Sequence, residues 1–213
     1  MKKFGIGCAA IGGILLLILI ILVIAGAGSY NRLVRLSQGV NEKWAQVQNN
    51  YQRRADLIPN LVNTVSGAAN FEKSTLTEVT QARASVGQVK IDPNNAPTDP
   101  SKLAEYQQAQ GQLSSALSRL LVVSERYPEL KANANFQSLQ AQLEGTENRI
   151  AVARMDFNNA VQAYDTTVKS FPTVLYAGML GFQEKPYFNA TPGAATPPNV
   201  QFNFGGSNST TNR

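Results

Sequence analysis

No histidine stands anywhere among the 213 residues, and there is one cysteine and one tryptophan. The missing histidine removes the commonest general base and the commonest metal ligand. A single cysteine, Cys8, excludes an internal disulfide, and within an apolar stretch it reads as a small packing residue. No phosphate-binding loop, serine-nucleophile motif or glycine-rich dinucleotide turn is found. These absences predict a protein that is not an enzyme, with no catalytic residue, no metal ligand and no cofactor. Aromatic residues are scarce at 8%, while Gln, Asn and Ala are plentiful, which suits long helices with polar outer faces better than a β-sandwich. The net charge of +5 is no nucleic-acid footprint. Lys2, Lys3 and Arg213 lie outside the candidate domain, whose 16 basic and 14 acidic residues are interspersed, whereas nucleic-acid binding needs clustered Lys and Arg on one face.

Against that background, residues 4–27 carry no charge and are mostly Ile, Leu, Val, Ala and Gly. As a helix this run would extend about 36 Å, enough for a hydrocarbon core of about 30 Å. It predicts one N-terminal transmembrane helix, residues 1–28, holding the chain at the cell (inner) membrane as a single-pass protein. A cleaved signal peptide is the open alternative: Lys2 and Lys3 make a positive start and Ala25-Gly26-Ala27 resembles a cleavage site. A lipoprotein signal is disfavoured, because Cys8 lies only a few residues into the run. Lys2 and Lys3 favour a cytoplasmic N-terminus; Arg32, Arg35 and Lys43 pull the other way. Gly5, Ala9 and Gly13 form a small-residue stripe suited to helix self-association in the membrane, and so to a homo-oligomer.

Residues 29–188 form the candidate domain. Leu33, Leu36, Val40, Trp44, Val47, Tyr51, Ala55, Ile58, Val62, Val65 and Ala69 recur with the α-helical period, predicting a helix over 29–86. Pro59 lacks an N–H and its ring clashes with the carbonyl of Ala55, which predicts a kink or split near residues 58–60. Residues 87–100 contain three prolines and read as a loop; Asp99 is the expected cap of a second helix opening at Pro100. Leu103, Gln110, Leu117 and Ser124 form one heptad series there, and Tyr106, Leu113, Leu120 and Tyr127 another. Asn135 is the expected cap of a third helix over 136–170, where Phe136, Leu143, Ile150, Phe157, Tyr164 and Phe171 repeat every seven residues beside the smaller Thr146, Ala153, Ala160 and Thr167. Residues 174–182 are a short apolar patch, a helical turn or two closing the bundle. Residues 189–213 are rich in Asn, Gly, Pro, Ser and Thr and read as a disordered tail. The expected fold is all-α: an elongated antiparallel up-and-down bundle of three long helices behind the anchor.

Few residues invite a functional reading. Arg53, Arg54 and Asp56 precede Pro59 and form a candidate polar cluster; the plainer reading is an Arg53–Asp56 ion pair across one helical turn. Glu144 and Glu147 sit one turn apart, as a cation pair or a solvated face. Glu147 and Arg154 read as charges at the edge of a seam. The candidate partner surface is Arg53, Arg54, Asp56 and Pro59 together with Leu175, Tyr176 and Met179.

Several segments together suggest a family. Tyr30-Asn31-Arg32-Leu33-Val34, Val40-Asn41-Glu42-Lys43-Trp44, and Gln52-Arg53-Arg54-Ala55-Asp56-Leu57-Ile58-Pro59-Asn60-Leu61-Val62 come first. Phe71-Glu72-Lys73, Thr80-Gln81-Ala82-Arg83, Tyr127-Pro128-Glu129-Leu130-Lys131-Ala132, the run from Leu143 to Ala151, Phe171-Pro172, Gly181-Phe182 and Tyr187-Phe188 follow in order. The chain resembles the LemA family over nearly all of residues 1–188. The resemblance implies a bacterial membrane protein with an N-terminal anchor and a helical bundle. It implies no enzyme activity, and association with other envelope proteins, including a membrane peptidase. The expected function is a non-catalytic, membrane-anchored scaffold or adaptor of the cell envelope. A homo-oligomeric structural element is the alternative, with an enzyme acting on envelope material further behind.

Overall fold

A computed structural model of the chain describes residues 2–68 and 71–189, with the side chains of residues 2–12, 14, 18, 19 and 21–25 outside the description. The described residues form helices and no strands: α1 (Lys2–Ser66), α2 (Lys73–Gln88), α3 (Pro100–Ser124), a single turn α4 (Pro128–Lys131), α5 (Ala134–Lys169), and two 3-10 turns (Thr173–Leu175 and Gly178–Leu180). The C-terminal part of α1, with α2, α3 and α5, makes an up-down-up-down bundle. α1 lies closest to α5, and α2 to α3. The buried series expected on α3 and α5 face inward, from Leu103 to Ser124 and from Phe136 to Tyr164. Small residues on α5, Thr146 and Ala153, are buried between the large ones, which lets neighbouring helices interlock closely.

The helix does not break at Pro59; α1 runs through it to Ser66. The reason lies across the bundle. The proline deprives the Ala55 carbonyl of its helical donor, and Arg83 Nε on α2 donates to that oxygen at 3.2 Å. A carbonyl with a substitute partner removes part of the cost of an interior proline. The chain turns instead at Gly67, and Phe71 returns into the core against the Tyr127 ring, 4.9 Å between centroids. The first amphipathic helix is therefore two antiparallel helices, α1 and α2, and the bundle has four long helices rather than three. Ala69, the last of the expected stripe, lies outside the described residues.

Asp99 caps α3 as expected, its carboxylate accepting from the Ser101 N–H at 2.8 Å. The cap of α5 is Asn133, not Asn135: its side-chain oxygen accepts from the N–H groups of Asn135 and Phe136. Phe171, the last of the expected core series, is 80% exposed, because α5 ends at Lys169 and the chain leaves the helical phase.

Among the described residues no helix is long and apolar enough to cross a membrane. Most side chains of the expected anchor, and Gly5 and Ala9 of the small-residue stripe, lie outside the described residues. Gly13 has open space around it, and Leu15, Leu16, Leu17 and Ile20 are exposed. The tail beyond Asn189 also lies outside the description.

Candidate functional site

The helical period decides what Arg54 does. It follows Tyr51 by three residues and precedes Ile58 by four, so it shares their inward face. The guanidinium is 1% exposed. A charge so placed must be paired and hydrogen-bonded. Nη1 donates to Glu147 Oε1 at 2.6 Å and to Ser114 Oγ at 2.7 Å, while Nη2 donates to the Gln110 side-chain oxygen. Nε is buried with no acceptor. The guanidinium carbon also lies 5.2 Å from the centre of the Tyr51 ring. One buried cation thus ties α1 to α3 and α5 across the middle of the bundle.

The neighbouring polar groups continue this junction. Tyr106 Oη donates to Gln48 Oε1 at 2.9 Å, and the Tyr51 and Tyr106 rings meet edge to face at 5.5 Å. Burial pushes the Tyr51 phenol up to about 12, against the pull of Arg154 and Arg54. Beside Arg54 an open groove of about 930 Å³ is lined by Tyr51, Gln107, Gln110, Ser114, Glu147 and Arg154 among others. Its walls carry amide, hydroxyl and both signs of charge, so it can accept and donate hydrogen bonds to a polar segment. Among the described residues no group of three or more Cys, Asp or Glu side chains comes together.

The expected cluster is divided. Arg54 is in the core, whereas Arg53, Asp56 and Pro59 are exposed. Asp56 accepts a hydrogen bond from Gln52 Nε2 at 2.7 Å, and no Arg53–Asp56 ion pair is among those of the described residues. Glu147 is the partner of the buried arginine rather than a seam-edge charge, and Glu144 accepts from Gln140 Nε2 instead of facing a shared cation. Leu175 and Met179 are exposed and Tyr176 is half-buried. They lie near the level of Tyr30 on α1, about 40 Å along the helix axis from Pro59 at ~1.5 Å per residue. The two halves of the candidate partner surface are therefore separate.

A second polar assembly had no signature in the heptads. After the 3-10 turns, residues 183–189 run along the bundle without regular secondary structure, as a strap. Asn158 holds the Phe188 backbone at both its N–H and its carbonyl, at 2.9 and 3.0 Å, and Gln107 does the same for Asn189 at 3.2 and 2.7 Å. Tyr164 Oη donates to the Gln183 carbonyl at 2.9 Å. Asp165 accepts from the Lys185 N–H at 3.1 Å, and burial raises this carboxyl and lowers the Lys185 ammonium. Phe188 is buried against Trp44 and Phe157, with the Arg154 guanidinium 4.6 Å from its ring centre.

The sequence profile of the LemA family matches residues 43–202. The chain belongs to the LemA family. Among relatives, "Magnetosome protein MamQ 2" of Paramagnetospirillum magneticum is 25% identical over 187 residues, covering 79% of this chain and 67% of that protein. "Magnetosome protein MamQ" of Magnetospirillum gryphiswaldense is 26% identical over 183 residues, with the same shares covered. "Protein LemA" of Metamycoplasma hominis is 23% identical over 164 residues, covering 77% of this chain and 70% of that one. The matched stretch includes α1 from Lys43 onward, both cross-bundle polar assemblies and the strap.

Proposed function

We propose that this LemA-family chain is a non-catalytic scaffold or adaptor, anchored in the cell membrane by residues 4–27 and presenting its bundle to a protein partner in the envelope. The observation that carries this reading is the continuity of α1. One helix extends from Lys2 to Ser66, and its uncharged stretch, residues 4–27, lies beyond the bundle core, with Leu15, Leu16, Leu17 and Ile20 exposed. Burying a Leu or Ile side chain is worth about 1.5–3 kcal/mol, so a lone helix of this composition is far more stable in lipid than in water. The bundle behind it is tied by internal polar contacts. Arg54 and Glu147 serve each other, and the groove beside them carries the exposed amides of Gln108 and Gln112, which suit a polar segment of a partner.

Site-specific photo-crosslinking in native membranes tests the adaptor role. A crosslinker at Gln108 or Ser115, both exposed in the groove wall, is expected to yield one recurrent protein adduct that a crosslinker at Val122 does not give. The same diffuse background from all three positions would contradict it.

A further inference from the structure

The turn after α5 inverts the usual order of burial. Its small or polar residues, Thr173 and Ala177, are buried, while Leu175 is 68% and Met179 88% exposed, with Phe171, Val174 and Leu180 also outward. This is not a loose end. The Val174 N–H bonds to the Ser170 carbonyl at 2.9 Å, that of Ala177 to Thr173 at 2.9 Å, and that of Phe182 to Ala177 at 3.0 Å. Gly181, at φ +81°, lets the chain reverse into the strap. A fixed turn that holds five large apolar side chains outward has an apolar surface as its natural partner.

Its position says which one. α5 runs antiparallel to α1, so its C-terminal turn lies at the end of the bundle from which residues 4–27 project. Phe182, at the edge of the turn, meets the Tyr30 ring at 5.6 Å. Tyr30 is three residues past Ala27, about 4.5 Å along the helix at ~1.5 Å per residue. A bilayer that receives residues 4–27 therefore has its interface at the level of the turn, within the roughly 5–10 Å over which interfacial apolar groups sink. Arg32 and Arg35 are exposed at the same level, suited to anionic head groups. Tyr30 is itself partly exposed at this level, as aromatic residues are at membrane interfaces.

We propose that the turn bearing Phe171, Val174, Leu175, Met179 and Leu180 is a second membrane contact, seated in the lipid interface beside the foot of α1. The bundle then stands on two points and is held at a fixed tilt instead of swinging on a single helix. This rests on the anchor reading above, and the test separates the two. In the full chain carrying C8S, spin labels are placed singly at L16C, L175C, M179C and, as a distal control, V122C. All four positions are exposed, so labelling leaves the packing intact. The protein is reconstituted in vesicles of phosphatidylethanolamine and phosphatidylglycerol, and collision with oxygen is compared with collision with a water-soluble nickel chelate. The expected result is a shift toward oxygen at 16, 175 and 179 and toward nickel at 122. Oxygen-dominated collision at 16 with nickel-dominated collision at 175 and 179 would overturn the second contact and leave the anchor. Protection of 175 and 179 from both reagents would overturn it in favour of a second copy of the chain. Nickel-dominated collision at 16 would overturn both.

Discussion

Around Trp44 the core is aromatic and strapped; around Leu61 and Leu120, some 25 Å further along α1 at ~1.5 Å per residue, it is mainly aliphatic, with Phe71 and Phe136 among the aliphatic side chains, and carries no strap. In the first region Trp44 touches Tyr106, Phe157 and Phe188 and donates its indole N–H to the Asp92 carbonyl at 2.8 Å. One side chain thereby gathers α1, α3, α5, the loop before α3 and the strap. In the second, Ile58, Leu61 and Val65 meet Leu113, Leu117, Leu120 and Leu143, in a region closed by the short connections α1–α2 and α3–α5. Arg54 stands between the two. The difference teaches that one helical period can serve two kinds of core. Heptad packing suffices where neighbouring helices are joined by short turns. Where the chain's C-terminal segment must be held, aromatic rings and side-chain amides are added.

Trp44→Ala should break this contrast most strongly. It removes a fully buried ring and its hydrogen bond, costing about 3–5 kcal/mol. Limited proteolysis should then cut first within residues 183–189, whereas Leu120→Ala, of similar cost, should leave the strap protected. Equal protection in both variants would mean that the strap does not depend on the aromatic core.

Glu147→Gln probes the boundary. Breaking a fully buried pair costs about 3–5 kcal/mol, but the Glu147 side chain is 42% exposed and solvent screening reduces this to roughly 1–3 kcal/mol. Chemical denaturation measures it, and adding Arg54→Met should recover part of the loss because the uncompensated buried charge is then gone.

The smallest effect is confined to alkaline pH. Folded Tyr51 keeps its proton to about 12, against an ordinary value of 10.0. The folded value is raised, so the stabilisation is complete below pH 10 and is lost as pH rises toward 12. Stability should fall there by up to about 1.4 kcal/mol per pH unit from this one group. Tyr51→Phe should flatten that part of the profile, read by urea unfolding at stepped pH. An unchanged slope would assign the alkaline loss to the other buried tyrosines, Tyr106 and Tyr164.

The aliphatic region and the seams of α3 and α5 were readable from sequence, since burial there follows 3.6- and seven-residue spacing. Asp99 was readable because a cap followed by proline has a local cause. The other features depend on contacts between residues far apart in the chain. Pro59 signals a break only when its surroundings are ignored; Arg83, 28 residues beyond Ala55, supplies that carbonyl with the donor that lets the helix continue. Arg54 was legible in part. Its phase matches Tyr51 and Ile58, and Gln110, a polar member of a heptad series, waits opposite. The i, i+3 spacing of Arg53 and Asp56 pointed elsewhere. The strap has no period at all, because its backbone is held by Asn158 and Gln107, whose types alone carry no such instruction.

Carbonate extraction of membranes tests the central claim most directly, comparing the full chain with one starting at residue 29. The account predicts that the full chain stays in the pellet and the shortened one is released with its helical circular dichroism intact. Release of the full chain into the wash would contradict it.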